Sequence, residues 1–398
     1  MAAEDAAHGQ SGQPEAVKPW RNPKVRAIFF QILVLGGVGL LAYYLISNTM
    51  QNLAERQIQT GFDFLENEAG FFIGEAMVDY AASDSYGRAF LIGILNTIRV
   101  AFLGIVLSTI IGTIVGVARL SSNFLIAKLA SIYVETVRNI PLLLQLFFWY
   151  AVITGLLPTS KSAVELLPST FLSKSGLIFP VPIEHPVHMW MGLGFLVGIV
   201  GVYFYYRYAK KRQDATGQQL PLLLPTLGFL IGIPAIIWLL GGAPSAMDFP
   251  EWQKFRYDGG TSLTPEFIAL LLGLTIYTAG FIAEIVRSGI VAVPHGQTEA
   301  ASALGLRRSK VLRLVLLPQA LRIIVPPTTS QYLNLTKNSS LAVAIGYPDL
   351  VSVGNTTLNQ TGQAIECITI MMAVYLTISL LISAFMNWYN KHIALVER

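Results

Sequence analysis

The strongest constraint on this chain is a recurrence of apolar runs about 20 residues long, the length that carries an α-helix across a bilayer. Eight are read: Ile28–Asn48, Ala89–Ala118, Asn139–Leu157, Val187–Tyr206, Leu220–Gly241, Thr264–Ala292, Leu321–Ile345 and Ile365–Tyr389. Charged residues make up only 13% of the 398 and apolar ones 53%. Soluble domains carry roughly 25% charged residues. So few charges cannot wet the surface of a soluble enzyme this size, and so much apolar side chain excludes disorder. A net charge of +4 spread over such a chain is no basic patch, so nucleic acid is not an expected partner. The single cysteine, Cys367, excludes an intrachain disulfide and any Cys-rich metal site.

The first run is longer than a signal-peptide core and no small-x-small cleavage site follows, so it is read as a retained anchor. Lys and Arg set the orientation. Nineteen of the 27 fall in segments 18–26, 119–138, 207–212, 287–322 and 391–398, all on one side. Six fall in the alternate loops, and Arg99 and Lys337 lie within spans. Both termini are therefore expected in the cytoplasm. The loop Thr49–Arg88 lies outside and gathers seven acids, among them Glu75. Its plain reading is a solvated loop free of cations that block translocation. A docking surface for an external partner is the other reading.

The cytoplasmic stretch Pro294–Pro318 reads PHGQTEAASALGLRRSKVLRLVLLP. Pro294 and Gly296 break the preceding helix. Thr298 is expected to cap a new short helix, with Glu299 in its first turn near the positive dipole end. Ala300, Ala301 and Ala303 favour helix and keep its surface low. Gly305 is placed to end it in the left-handed conformation. A basic tail follows: Arg307, Arg308, Lys310 and Arg313.

Glu299-Ala300-Ala301, Gly305, Val315, Leu317 and Pro318 stand at the spacings of the cytoplasmic signature of ABC importer permeases, with Val315 where Ile is usual. The chain resembles that family. Asn96-Thr97-Ile98-Arg99, Tyr133-Val134-Glu135, Arg138-Asn139-Ile140-Pro141-Leu142-Leu143, Ala283-Glu284-Ile285-Val286-Arg287 and Pro318-Gln319-Ala320-Leu321-Arg322 resemble its polar amino-acid branch. The match is nearest to the larger membrane subunit of general L-amino acid importers. The resemblance implies an all-α integral membrane fold with a five-helix core. It also implies a coupling helix, with Glu299, Ala300, Ala301, Gly305, Leu306 and Arg307, that fits a groove of an ATPase subunit. The implied assembly holds a second permease subunit, two ATPase subunits and an external substrate-binding protein. ATP and magnesium would sit on the ATPases, with no cofactor in this chain. Asn338, after Lys337, departs from the acid common among relatives.

On this reading residues 1–27 are a cytoplasmic tail, and 28–88 an extra span with the acidic external loop. Residues 89–157 and 264–390 are the two parts of the core, with the coupling loop at 294–318. Residues 158–263 are an insertion carrying two spans, and 391–398 a cytoplasmic tail. No G-x-x-x-x-G-K-[ST] run is present, so ATP hydrolysis by this chain itself is not expected. His185 and His188, three apart in a Pro-rich loop, are read as ordinary loop histidines.

Charges inside spans usually face protein or water. Ser330, Gln331, Asn334, Lys337 and Asn338 fall within about 120° of helical arc and give the seventh span one polar face. Pro326-Pro327 beside it suggests a broken helix. An amino-acid zwitterion passing there needs a cation for its carboxylate, Arg99 or Lys337, and an acceptor for its ammonium, Glu284, Gln331 or Asn334. Asn96 shares the face of Arg99. For Glu284 the alternative is a pairing with Arg287, reaching to the cytoplasmic interface, or with another basic residue. A self-sufficient secondary transporter is the competing function; it predicts repeats in the two halves, and none is evident.

Overall fold

The computed structural model describes residues 23–55 and 60–393. The tail residues 1–22 with Lys18 and Arg21, Arg56 in the following loop, and Arg398 lie outside the described residues. Helix α1 (Pro23–Glu55) runs past its apolar stretch, and every described side chain on it is exposed. It adds nothing to the core of this chain. Then come α2 (Tyr86–Ala118), α3 (Phe124–Asn139), α4 (Leu142–Leu156) and α5 (Pro186–Thr216). The short helices α6 (Leu223–Leu227) and α7 (Ile233–Leu240) are joined by a π-helical turn, Gly228–Gly232. Helices α8 (Pro265–Val291), α9 (His295–Ala303), α10 (Arg308–Val311), α11 (Leu317–Asn338), α12 (Leu350–Thr361) and α13 (Ala364–Ile393) complete the order.

Seven helices among the described residues are long and apolar enough to cross a membrane. The third expected span, Asn139–Leu157, takes a different form. Pro141 disfavours helix at Ile140, which is extended, so α3 stops and α4 restarts at 107° to it. The carbonyls freed at the bend are satisfied by Gln145, whose side-chain amide donates to Val137 O at 2.9 Å and Ile140 O at 3.0 Å.

The seventh span begins earlier than expected, at Arg308, and passes through α10, a π-helical turn at Leu312–Leu316, and α11. Pro326 and Pro327 do not break it: both lie inside α11. The irregular turn comes instead just before Pro318, as the turn of α6–α7 comes just before Pro234. A proline lacks the N–H its i−4 carbonyl needs, and widening the preceding turn accommodates the lost bond.

The core is built around α2 and α8. Small residues let their backbones meet: a Cβ on Gly112 would stand 2.9 Å from Ala279 O, and one on Gly116 2.7 Å from Ala283 O. Helices α4, α11 and α12 close around this seam, burying Val100, Leu146, Leu270, Leu274 and Leu335 completely.

The fold is not wholly helical. Segment 158–263 carries eight short strands as well as α5–α7. Strands β1 (Val164–Leu167), β2 (Thr170–Ser173) and β3 (Gly176–Phe179) precede α5, as does β4 (Val181–Pro182). Strands β5 (Met247–Asp248), β6 (Glu251–Gln253), β7 (Arg256–Asp258) and β8 (Thr261–Leu263) follow α7. The two loops join: β8 adds antiparallel to β3, with Leu177 opposite Leu263, and β4 pairs β5. Phe171 stacks on Tyr257 across the loops, centroids 4.7 Å apart. This β-bearing end of the molecule also holds the segment 60–85.

That segment is not a solvated loop. Phe64, Ala69 and Ile73 are buried with Tyr86, Phe90, Leu350 and Cys367. Backbone bonds from Ala69 N to Asp84 O and Gly70 N to Ala82 O, both 2.8 Å, close its base. It is a compact strap whose ends meet, with the character of an Ω-loop.

Candidate functional site

Three groups of sequence-selected residues fall in three places. The polar face of α11 is the first. Ser330, Asn334 and Lys337 are exposed, and Gln331 and Asn338 half-buried. On its other side Ile324, Val325, Thr328, Leu335 and Thr336 are buried. Tyr332 ties this helix to α2 through a 2.8 Å bond between its hydroxyl and that of Thr109. The chain thus covers the apolar side of α11 and leaves the polar side open along a span.

The second place lies at the β-bearing end. Asn96 does not share an open face with Arg99; it is completely buried. Its Nδ2 donates to Glu75 O at 2.8 Å and Pro348 O at 2.9 Å, so it pins the strap to the core. Arg99 lies 4.2 Å from the Phe267 ring centroid and donates to Glu75 Oε1 at 2.6 Å. The other oxygen of Glu75 accepts from the Thr264 hydroxyl. Sequence reasoning missed Glu75 because one acid among seven carries no local mark. Its partners stand 24 and 189 positions away.

Asp349 was missed for a similar reason. It caps α12, accepting from Ser352 N at 2.9 Å, and its Oδ2 accepts from the Tyr375 hydroxyl at 3.3 Å. Among the described residues it pairs with no cation, and burial pushes its carboxyl up to about 7. An aspartate directly before a helical run, as Asp349 stands before Leu350, is a helix-cap signal and the clue available in sequence.

The third place is the opposite end of the α2–α8 seam. Glu284 accepts from Arg287 at 2.6 Å and from Arg119, and Arg138 stands 3.9 Å away. Arg138 also lies 5.0 Å from the Phe281 ring centroid. The pairing with Arg287 is therefore present, with two further arginines, one from α3 and one from the end of α2. Nothing brings Glu284 to the open face of α11.

Beyond this cluster projects α9. Gly305 follows it at φ +75°, the left-handed conformation expected for the residue that ends the helix. Two details differ from expectation. The helix begins at His295, with Pro294 as its cap residue, so Thr298 lies inside it and donates to His295 O at 2.7 Å. Glu299 then falls in the second turn, beyond the main reach of the dipole, and its carboxylate meets His295 Nδ1 at 3.2 Å. Ala301 is buried, while Glu299, Ala300, Gly305 and Arg307 are exposed and Leu306 is half-buried. Leu304 is 82% exposed at the tip, an apolar side chain with no cover from this chain.

The family model described as binding-protein-dependent transport system inner membrane component matches residues 215–395. The general L-amino acid transport system permease protein AapQ of Rhizobium johnstonii is 50% identical, over 95% of this chain and 94% of its own length. The chain belongs to the amino-acid ABC transporter permeases. Other relatives of this permease are similar along nearly their whole length. The Escherichia coli protein YhdX is 48% identical over 95% of this chain and 96% of its own. The glutamate/glutamine/aspartate/asparagine transport system permease protein BztB of Rhodobacter capsulatus is 41% identical over the same shares. The likeness to AapQ, YhdX and BztB therefore takes in most of the permease, segment 158–263 and its strands included. The family is that of multi-pass inner-membrane subunits whose ATPase is a separate chain.

Proposed function

We propose that this permease is one of two membrane subunits of an ATP-driven importer of amino acids, each contributing half of a translocation path. The observation that carries this reading is the uncovered polar face of α11. A span that exposes Asn334 and Lys337 to hydrocarbon would bear a cost of at least about 2.5 kcal/mol for the lysine alone. A second permease subunit across a polar path removes that cost, and a heterodimer is the expected pairing. The names of AapQ and BztB support amino acids as the cargo.

On this reading both termini and α9 face the cytoplasm, as the distribution of Lys and Arg favours. The β-bearing end is then external, where a separate binding protein delivers substrate. Two ATPase subunits, holding ATP and magnesium, engage α9 through Leu304 and the Glu299–Ala301 face. Their closure biases the permease pair between inward- and outward-facing states. The domain limits at 158 and 263 mark the insertion, which carries the external strands.

The test is Glu299→Lys combined with Gly305→Pro in the assembled complex in proteoliposomes. ATP-dependent amino-acid uptake should fall at least tenfold while the complex still assembles. Normal uptake would contradict the coupling role. Uptake that persists without any ATPase subunit would instead indicate a self-sufficient carrier.

A further inference from the structure

Glu75 sits in the kind of setting that recognises a carboxylate. One oxygen accepts from the Arg99 guanidinium at 2.6 Å, the other from the Thr264 hydroxyl. Thr264 is itself the cap of α8, its hydroxyl accepting from Phe267 N at 3.1 Å. The carboxylate therefore lies against the N-terminus of a long helix, where anions are favoured. The Glu75 side chain is only 6% exposed and Arg99 21%, so both charges depend on each other.

Beside the pair is a cavity of about 340 Å³. Glu75, Thr264, Glu266, Ser352 and Thr356 contribute polar groups to its wall. Glu266 is a second carboxylate, held by the Tyr150 hydroxyl at 3.0 Å. Arg99 is not in that wall. The open space thus meets the acidic partner, with the guanidinium behind it.

A lone anion entering here would take Arg99 and leave Glu75 buried without a partner. A lone cation would do the reverse. Leaving one member of a buried pair uncompensated is strongly unfavourable. A molecule carrying both charges avoids both penalties. We propose that an α-amino-acid zwitterion inserts into the Glu75–Arg99 pair at this mouth. Its carboxylate replaces Glu75 on Arg99 and Thr264, and its ammonium replaces Arg99 on Glu75. No proton or covalent bond changes hands, and the charge balance of the Glu75–Arg99 pair is kept. One ion pair becomes two charge-assisted contacts.

The strap supplies the movement. Its base is fixed by the backbone bonds at Ala69 and Gly70, while its tip is tied to α2 by Asn96 and Arg99 and to Thr264. Insertion requires Glu75 to withdraw by the length of a small zwitterion, releasing the Asn96 bond to its carbonyl, while the base stays closed. Because the pair reads only the ammonium and carboxylate, side-chain identity is left to the rest of the pathway. The inference rests on the amino-acid reading above and adds the charge form of the cargo and the residues that receive it.

The purified complex, without its binding protein, is titrated with L-glutamine and with L-glutamine amide, whose carboxylate is capped. Thermal unfolding and ATP hydrolysis report the response. L-glutamine should raise the unfolding temperature and stimulate hydrolysis; the amide should do neither. Glu75→Gln and Arg99→Gln should each weaken the L-glutamine response at least tenfold. The conservative variants Glu75→Asp and Arg99→Lys keep a folded protein in hand and should each weaken the response severalfold. An unchanged response in the single and conservative variants overturns the proposal. Absence of any ATP-driven amino-acid uptake by the unaltered complex would instead sink the broader functional reading.

Discussion

The two ends of the α2–α8 seam hold charge clusters of opposite stoichiometry. At the β-bearing end one carboxylate, Glu75, faces one guanidinium, Arg99. At the other end one carboxylate, Glu284, faces Arg119, Arg138 and Arg287. Arg99 and Arg119 lie roughly 30 Å apart along α2 at 1.5 Å per residue. The balanced pair is nearly sealed and its acid arrives on the strap, tied to the core by Asn96. The cation-rich cluster is partly open and joins the ends of three core helices. A balanced pair can admit a zwitterion without changing its charge. A carboxylate already shared among three arginines works as a knot, since removing it leaves only repulsion.

The largest effect is expected where both clusters share their support. Gly116→Leu places side-chain atoms where a Cβ alone would be 2.7 Å from Ala283 O and 2.8 Å from Val286 Cβ. Overpacking costs about 1–3 kcal/mol, and more where backbone is the obstacle. The variant should fail to yield a monodisperse complex by size-exclusion chromatography. Clean assembly would show that the seam does not hold the two ends in register.

The next prediction sets the clusters against each other. Removing one partner of a buried pair costs about 3–5 kcal/mol. Glu284 is 27% exposed, so Glu284→Gln should cost about half of that. Glu75 is only 6% exposed, so Glu75→Gln strips the charge from a nearly sealed pair and the loss is expected near the full range of about 3–5 kcal/mol. Thermal unfolding of the two variants in one detergent should therefore rank Glu75→Gln below Glu284→Gln. The reverse ranking would undo the contrast between knot and gate.

Asp349 sharpens the point that a cation decides how a carboxylate behaves at the β-bearing end. Its folded pKa of about 7 lies above its ordinary value of 3.8. The folded state then holds the proton more tightly than the unfolded one, so stability falls as pH rises between those values. Above the folded value the loss is complete. Asp349→Asn keeps a cap for Ser352 N and removes the titration. Its unfolding temperature at pH 8 should exceed that of the unaltered protein, and the gap should narrow at pH 5 and close only below the ordinary value of 3.8. A gap independent of pH would assign the effect to packing alone.

Most of the helical plan could be read in the sequence, for reasons visible in single segments. Apolar length marked the spans, and the polar residues of α11 share a face because helical periodicity is local. Gly305 could be placed because ending a helix in the left-handed region favours one residue type. The bend at Pro141 was written in the chain as well, in a proline that disfavours helix at the residue before it. The strands were not legible: each is two to four residues long, and β8 finds its partner β3 some 80 positions away. The inward turn of the strap was hidden too, because its buried Phe64 and Ile73 are scattered among acids that look solvated.

The sequence by itself determined that this chain lives in a membrane, which family it belongs to, and which helix face is polar. Those properties follow from composition, periodicity and short motifs, all set by neighbours along the chain. Apart from the local Glu284–Arg287 pair, only the tertiary structure decided which acid meets which base. Arg99 found Glu75 across 24 positions and Glu284 found Arg119 across 165. Charges act through space, and the distances between them are fixed by packing that no local pattern records.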